Sequence, residues 1–336
     1  MSDRLVRFDP YRVLEVDPRA RPEVIHAAYL ALQKQFHPDK GGDTATAQMI
    51  NKAWDVLKDP RKKLEFDEGG KKLEGNRIGN YQILDRLAEG GFGTTYRAEH
   101  VLSRMPVCVK HCHHVAPLYQ QTLIDEARSI WDLRHYSLPV MRDFLQLDDG
   151  SLALVMSFIP GLTIEKLVEK KGRRLDPETV AWIMQRCLNA LKYLHFNGVI
   201  HGDVKPQNVI VQPEIHTIVV VDFGLSIVNP TRHSEVKGHT PIFASPEQLD
   251  GDPLVPESDL YSLALTMMYA LTGSFDDVRR LRVPNSVPDI FCDFIKRFLV
   301  RDLQERPNWE SEDLEASLRQ VRIQAFGRDH SNLKPV

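Results

Sequence analysis

A carboxylate, a cation and an amide stand at close spacing in His201-Gly-Asp203-Val-Lys205-Pro-Gln-Asn208, and a further carboxylate follows in Val221-Asp222-Phe223-Gly224. Moving a phosphoryl group onto a hydroxyl needs an acceptor for the hydroxyl proton and a cation near the migrating phosphate. It also needs oxygen ligands for magnesium ions that neutralise the developing charge. Asp203, Lys205, and Asn208 with Asp222 supply these in order. An ordinary polar loop has no reason to hold so many separate roles at this spacing, which makes the two stretches together a specific signal.

Upstream, Ala88-Glu-Gly90-Gly91-Phe92-Gly93 removes side chains where a backbone could approach a nucleotide phosphate. Such a run also serves dinucleotide-binding folds, where it lies between a strand and a helix. Here Thr94-Thr-Tyr-Arg97 continues as a strand, which favours a loop that covers the phosphates of ATP from a hairpin. Val107-Cys108-Val109-Lys110 fits a strand whose lysine contacts the α and β phosphates. Glu126, on an amphipathic helix predicted over residues 119–134, is spaced to be the carboxylate partner of that lysine. Taken singly, a lysine on a strand and a glutamate on a helix are ordinary surface residues.

These side chains need elements to hold them. Residues 81–109 alternate apolar and polar, and short strands continue to about Phe158, after which helical patterns dominate from Pro177 onward. Strands followed by helices predict an α+β fold of two lobes. Residues 259–271 are apolar nearly all round but too short to span a bilayer, so they predict a buried core helix. The first seventy or so residues are helical throughout. Ile25, Ala28, Tyr29, Leu32 and Phe36 share one helix face, and Met49, Ile50, Ala53, Trp54 and Leu57 share another. Pro38 and Gly41-Gly42 break the chain between them and Asp43 is placed to cap the second helix, giving an all-α hairpin whose loop carries His37-Pro38-Asp39. The glycine- and charge-rich run at 69–79 divides the chain into residues 1–70, a linker at 71–80, a second domain at 81–322 and a polar tail at 323–336.

At 336 residues, with 42% hydrophobic and 26% charged residues, the chain suits two folded cores and excludes a disordered or fibrous protein. A formal net charge of -3 gives no field for gathering nucleic acid or an anionic membrane. Cys108, Cys112, Cys187 and Cys292 lack disulfide or metal spacing, and no apolar run reaches membrane length, so a reducing, cytoplasmic setting is expected. The run His111-Cys112-His113-His114 invites a metal reading, but strand neighbours face opposite ways and nothing nearby completes a tetrahedron.

With these motifs in hand, residues 81–322 resemble the catalytic domain of eukaryotic-type Ser/Thr protein kinases, a family that bacteria also carry. The resemblance implies ATP and Mg as cofactors and a protein Ser/Thr hydroxyl as acceptor. It assigns Asp203 and Lys205 to catalysis, Asn208 and Asp222 to Mg, and Ala88, Gly90, Gly91, Phe92, Gly93, Cys108, Lys110 and Glu126 to the nucleotide. Met156 falls at the gatekeeper position and Phe158 in the hinge. Ser245-Pro246-Glu247 resembles the end of the activation segment, with Arg306 as the partner of the glutamate and Asp259 as a support for the catalytic loop. The order Tyr11-Arg-Val-Leu14, Tyr29, HPDK at 37–40, Asn51 to Leu57, Asp59-Pro60 and Phe66-Asp67 resembles the J domain of Hsp40 co-chaperones. That implies docking of His37, Pro38 and Asp39 on an Hsp70-type chaperone. A J-like module without Hsp70 activity, and a kinase fold acting as a scaffold, are the alternatives.

Two departures from the families matter. Gly202 replaces the arginine usual before the catalytic aspartate, which predicts less dependence on activation-segment phosphate. Ser226, Thr231, Ser234 and Thr240 are candidate autophosphorylation sites, with Ser226 expected to be solvated surface. The helix before HPD offers mainly Lys34 where the family has a basic cluster, so electrostatic steering toward an Hsp70 should be weak.

Overall fold

The computed structural model of the protein describes residues 10–17, 20–36, 44–59, 62–63, 77–90, 93–113, 115, 117–172 and 174–330. The chain divides into two compact units, residues 1–73 and 74–336.

The first unit is built from α1 (Pro10–Val13), α2 (Pro22–Phe36) and α3 (Thr44–Leu57). Pro22 opens α2 at the position where a missing N–H costs nothing. Tyr11, Leu14, Ile25, Ile50, Ala53 and Leu57 form the buried core, with Tyr29, Leu32, Phe36 and Trp54 packed against it. Trp54 stacks on Tyr29 and His26 with centroids 4.7 and 4.9 Å away, clamping α3 to α2. Met49, expected on the buried face of α3, is 50% exposed. Ile50, Ala53 and Leu57 already fill that stripe, and Met49 lies one residue off it. His37, Pro38, Asp39 and the capping Asp43 lie outside the described residues.

The second unit begins with an antiparallel sheet of β1 (Arg77–Ile78), β2 (Tyr81–Gly90), β3 (Gly93–His100), β4 (Pro106–Cys112), β5 (Met141–Gln146) and β6 (Leu152–Ser157). Their order is β1-β2-β3-β4-β6-β5. Ile78, inside the stretch read as linker, pairs with Tyr81 and is buried, so the sheet starts earlier than its sequence suggests. Helix α4 (Pro117–Ile130) lays Leu123, Ala127 and Ile130 on the sheet. It stops short of the predicted residue 134 because the Arg134 amide donates to the Tyr193 hydroxyl at 2.8 Å rather than back into the helix.

Below the sheet the chain continues through β7 (Leu162–Thr163), α5 (Ile164–Lys170) and α6 (Pro177–Phe196). Asp176 caps α6 by accepting from the Thr179 amide at 2.9 Å. Two small ladders follow, in which β8 (Val199–Ile200) pairs with β11 (Ile227–Val228) and β9 (Val209–Gln212) pairs with β10 (Thr217–Val220). They are followed by α7 (Pro246–Asp250), α8 (Pro256–Thr272), α9 (Phe275–Arg279), α10 (Asp289–Lys296) and α11 (Leu314–Phe326). Leu263, Met267, Met268 and Leu271 of α8 are buried against Ile183, Cys187, Leu191 and other residues of the same core. Each such side chain stabilises the lobe by about 1.5–3 kcal/mol. This helix is the all-apolar segment of the sequence, buried as expected. Among the described residues no helix is long and apolar enough to cross a membrane.

Candidate active site

Lys110 sits on β4 between Val109 and His111, which are buried, so strand alternation turns it to the opposite face. There its Nζ donates to Glu126 Oε2 at 2.6 Å and to Asp222 Oδ1 at 2.7 Å. Burial opposes the lysine charge, and the two carboxylates more than reverse that, holding the ammonium above the ordinary lysine range. Burial pushes the Glu126 carboxyl up. The Lys110 ammonium beside Asp222 holds that carboxyl down at about 2. Asp222 has φ 68°, a left-handed conformation that an aspartate tolerates and that recurs at functional sites.

The loop between β8 and β9 carries the second group. Asp203 Oδ2 pairs with Lys205 Nζ at 2.5 Å, and Oδ1 accepts the Thr240 hydroxyl at 2.7 Å. Lys205 Nζ also donates to Thr240 Oγ1 at 3.1 Å. Asn208 Nδ2 donates to the Asp203 carbonyl and to Oδ2 at 2.9 and 3.1 Å, which turns its amide oxygen the other way. The Val221 amide bonds to the Asn208 carbonyl at 2.9 Å, bringing Asn208 beside the residue that precedes Asp222. A carboxylate and an amide oxygen are the hard donors that magnesium takes, so these residues fit that ion.

The loop backbone is held from beneath. Asp259, in the first turn of α8, accepts the His201 amide on Oδ2 and the Gly202 amide on Oδ1, each at 2.8 Å. His201 Nδ1 accepts the Asp203 amide at 3.2 Å, so its proton is on Nε2, which donates to the Val221 carbonyl at 3.2 Å. The same ring therefore joins the loop to the strand end that leads into Asp222.

Residues 81–313 match the family model of the protein kinase domain, and residues 9–67 match that of the DnaJ domain. The chain belongs to the protein kinase family. It is 30% identical over 207 residues to serine/threonine-protein kinase pkn3 of Myxococcus xanthus, covering 57% of this chain and 38% of that protein. It is 30% identical over 220 residues to serine/threonine-protein kinase F of Synechocystis sp., covering 58% and 44%. With PrkC of Bacillus subtilis the identity is 30% over 209 residues, covering 60% and 32%. The chain thus spans less than half the length of these relatives.

In the nucleotide half of the kinase domain, Gly90 ends β2 opposite Gly93, and Ala88 is exposed opposite Thr95. A Cβ on Gly93 would lie 2.1 Å from the His111 carbonyl oxygen, so close strand approach alone requires glycine there. Gly91 and Phe92 lie outside the described residues. Cys108 pairs in register with Met156, and burial pushes its thiol up to about 12, leaving it unreactive. Phe158 follows β6 with the Arg97 guanidinium 6.0 Å from its ring centroid. The structure thus gathers Lys110, Glu126 and Asp222 into one cluster and Asp203, Lys205 and Asn208 into another. Among the described residues, no hydrogen bond, ion pair or ring contact joins Ala88 or Phe158 to either.

The activation segment is anchored at both ends. Arg306 Nη1 and Nη2 grip Glu247 Oε1 and Oε2 at 2.8 and 2.9 Å in a fully buried fork. Gln248 Nε2 donates to the Gly202 and Gly238 carbonyls at 2.8 and 3.0 Å, and Lys237 pairs with Asp125 of α4 at 3.3 Å. Ser226 corrects its expectation as solvated surface. It is wholly buried, and its hydroxyl donates to the Phe223 carbonyl and shares a hydrogen bond with the Ser129 hydroxyl, at 2.6 Å each. Thr231 and Ser234 bond to each other at an exposed turn. His111 and His113 engage Ser151 and Thr94 at 2.8 and 3.0 Å. Among the described residues no cluster of three or more His, Cys, Asp or Glu could hold a metal ion. Sequence reasoning missed Ser129, Lys237, Gln248, His195 and Trp309. Each acts through a polar contact distant in sequence, which leaves no periodic signal.

Proposed function

We propose that the chain is an Mg-ATP-dependent kinase for serine or threonine hydroxyls of proteins, and that its N-terminal unit recruits or stimulates an Hsp70-type chaperone. The observation that carries the first part is the engagement of Asp203 with Lys205 and with a hydroxyl at 2.7 Å. Thr240 demonstrates that an alcohol reaches hydrogen-bond distance of this carboxylate, as a base accepting a substrate proton requires. When bound, Mg-ATP supplies the phosphoryl group and the metal charge. With it bound, Lys110 would orient the phosphates, Asn208 and Asp222 would hold the ion, Lys205 would stand beside the phosphoryl group, and Asp203 would take the hydroxyl proton, with no covalent enzyme intermediate required.

The experiment is transfer of labelled phosphate from ATP to a generic protein substrate. Asp203→Asn and Asp222→Ala should each reduce it at least about a hundredfold. Wild-type transfer no greater than that of the variants across several substrates would leave only a scaffold.

Gly202 cannot hold a phosphate, and neutral or lysine contacts already tie the activation segment to the catalytic loop and α4. Activity without prior phosphorylation is therefore part of the proposal. For the N-terminal unit, the support is the DnaJ family match and the packed α2–α3 hairpin. Stimulation of an Hsp70 ATPase, abolished by His37→Gln, tests it. Cys108, Cys112, Cys187 and Cys292 form no disulfide, which suits a reducing compartment.

A further inference from the structure

We propose that Trp309 is a positioning residue, whose indole N–H fixes the tautomer of His195 and, through Asp259, the backbone amides that shape the catalytic loop. Only the activity readout below rests on the kinase function proposed above.

Trp309 Nε1 lies 2.8 Å from His195 Nδ1, and His195 Nε2 lies 2.8 Å from Asp259 Oδ2. An indole nitrogen can only donate, and an ionised carboxylate can only accept. His195 Nδ1 must therefore present a lone pair and Nε2 must carry the proton. In the other tautomer two donors would meet at Trp309 and two acceptors at Asp259, so both bonds would be lost together. The His195 and Asp259 side chains are 2% and 1% exposed, so water cannot substitute for either partner.

What Asp259 receives from His195 it passes to the loop. Its Oδ2 is shared between His195 Nε2 and the His201 amide, while Oδ1 takes the Gly202 amide. The carboxylate thus has three donors in fixed directions, and losing one frees it to rotate. Asp203 follows Gly202 directly, so the relay ends at the proposed base.

The segment bearing Trp309 is built to hold its ring still. Arg306 is locked to Glu247 and to the Val300 carbonyl at 2.6 Å. Asn308 Oδ1 accepts the amides of Glu310 and Ser311 at 3.0 and 2.8 Å, closing a turn around the tryptophan. One short stretch therefore braces the activation segment through Arg306 and the catalytic loop through Trp309.

The test uses the full chain and Trp309→Phe, which keeps an aromatic ring and deletes the N–H. Nitrogen-15 spectra of the histidine rings, assigned with His195→Gln, should show wild-type His195 protonated on Nε2 alone. In Trp309→Phe a population protonated on Nδ1 should appear. Hydrogen exchange at the His201 and Gly202 amides should accelerate up to about tenfold while that of Val109 is unchanged. The rate kcat should fall several-fold with KM for ATP unaltered. Wild-type His195 protonated on Nδ1, or a variant with unchanged ring signals and exchange, would overturn the proposal. Equal acceleration at Val109 would reduce Trp309 to a stability role and overturn it as well. If the wild type transfers no phosphate, the spectra and exchange still decide the relay.

Discussion

Replacing Arg306 by methionine should be among the most damaging single changes available in the kinase domain. The guanidinium is fully buried and donates to both oxygens of Glu247, to the Val300 carbonyl at 2.6 Å and to the Arg301 carbonyl at 3.2 Å, over the Tyr261 ring at 4.8 Å. Burial pushes the Glu247 carboxyl up, and the hydrogen bonds from Arg306, from Ser258 and from the backbone together outweigh it, Arg306 giving the largest share, so the carboxylate is held below its ordinary range and stays ionised. Methionine fills much of the volume but strands that charge. Breaking a buried pair in this way costs about 3–5 kcal/mol, against about 5–15 kcal/mol for a whole domain. Arg306→Met with Glu247→Leu removes the stranded charge, so the double variant should be more stable than Arg306→Met alone by about 2–4 kcal/mol. Of the four tryptophans only Trp54 belongs to the first unit. Urea unfolding followed by tryptophan fluorescence in a Trp54→Phe background therefore reads the kinase unit. A loss below about 1 kcal/mol for Arg306→Met, or a double variant as unstable as the two singles summed, refutes the argument.

His111 supplies a pH prediction. Burial, and then the neighbouring His113, hold it down at about 4 against an ordinary 6.5. The unfolded chain takes up this proton first as pH falls, so stability is fully present above about 6.5 and is lost toward pH 4, by about 3 kcal/mol in all. His111→Gln can keep a bond to Ser151 without titrating, and its urea midpoint should fall less between pH 7 and 4.5; parallel curves would contradict this. Gly202→Ala should cost at least about 1–2 kcal/mol, since φ is +73° and a Cβ would sit 2.8 Å from the Leu225 carbonyl oxygen. Unchanged thermal unfolding and kcat would show that the loop relaxes freely. Lys237→Ala removes a pair whose partners are about 30% exposed, so stability should change by less than about 1 kcal/mol. The informative readout is kcat of unphosphorylated protein, expected to fall if the pair helps seat α4, and a kcat equal to wild type would dismiss that role.

The loop at residues 201–208 was legible because its polar side chains are packed into adjacent residues, and Asp203, Lys205 and Asn208 touch one another in the structure. Lys110 and Glu126 were weaker as single residues, and what strengthened them was alternation on a strand and an amphipathic helix placed after it. Buried polar pairs were not legible. Ser226 reads as a loop serine, yet it is wholly buried because Ser129 of α4 and the Phe223 carbonyl complete its hydrogen bonding. His195 and Trp309 are 114 residues apart and meet through one nitrogen each, so neither hydrophobic period nor local motif could join them. Gly93 has a second reason for its type that the sequence did not reveal, since the His111 carbonyl forbids any side chain there.

Gly202 bears on how such a kinase domain is governed. The simplest account is loss of a phosphate-binding arginine, which would leave the activation segment unheld. The contacts argue otherwise. Without a side chain at Gly202, the Leu225 carbonyl lies 2.8 Å from where Cβ would stand, and the Gly202 carbonyl is taken by Gln248, which also holds Gly238. The space a side chain would need at residue 202 is thus taken by the Leu225 carbonyl, and the loop is joined to the segment directly. Restoring the arginine would therefore break these joints before it could bind any phosphate. On the function proposed above, a segment held by amide and lysine contacts would reach its seat without modification.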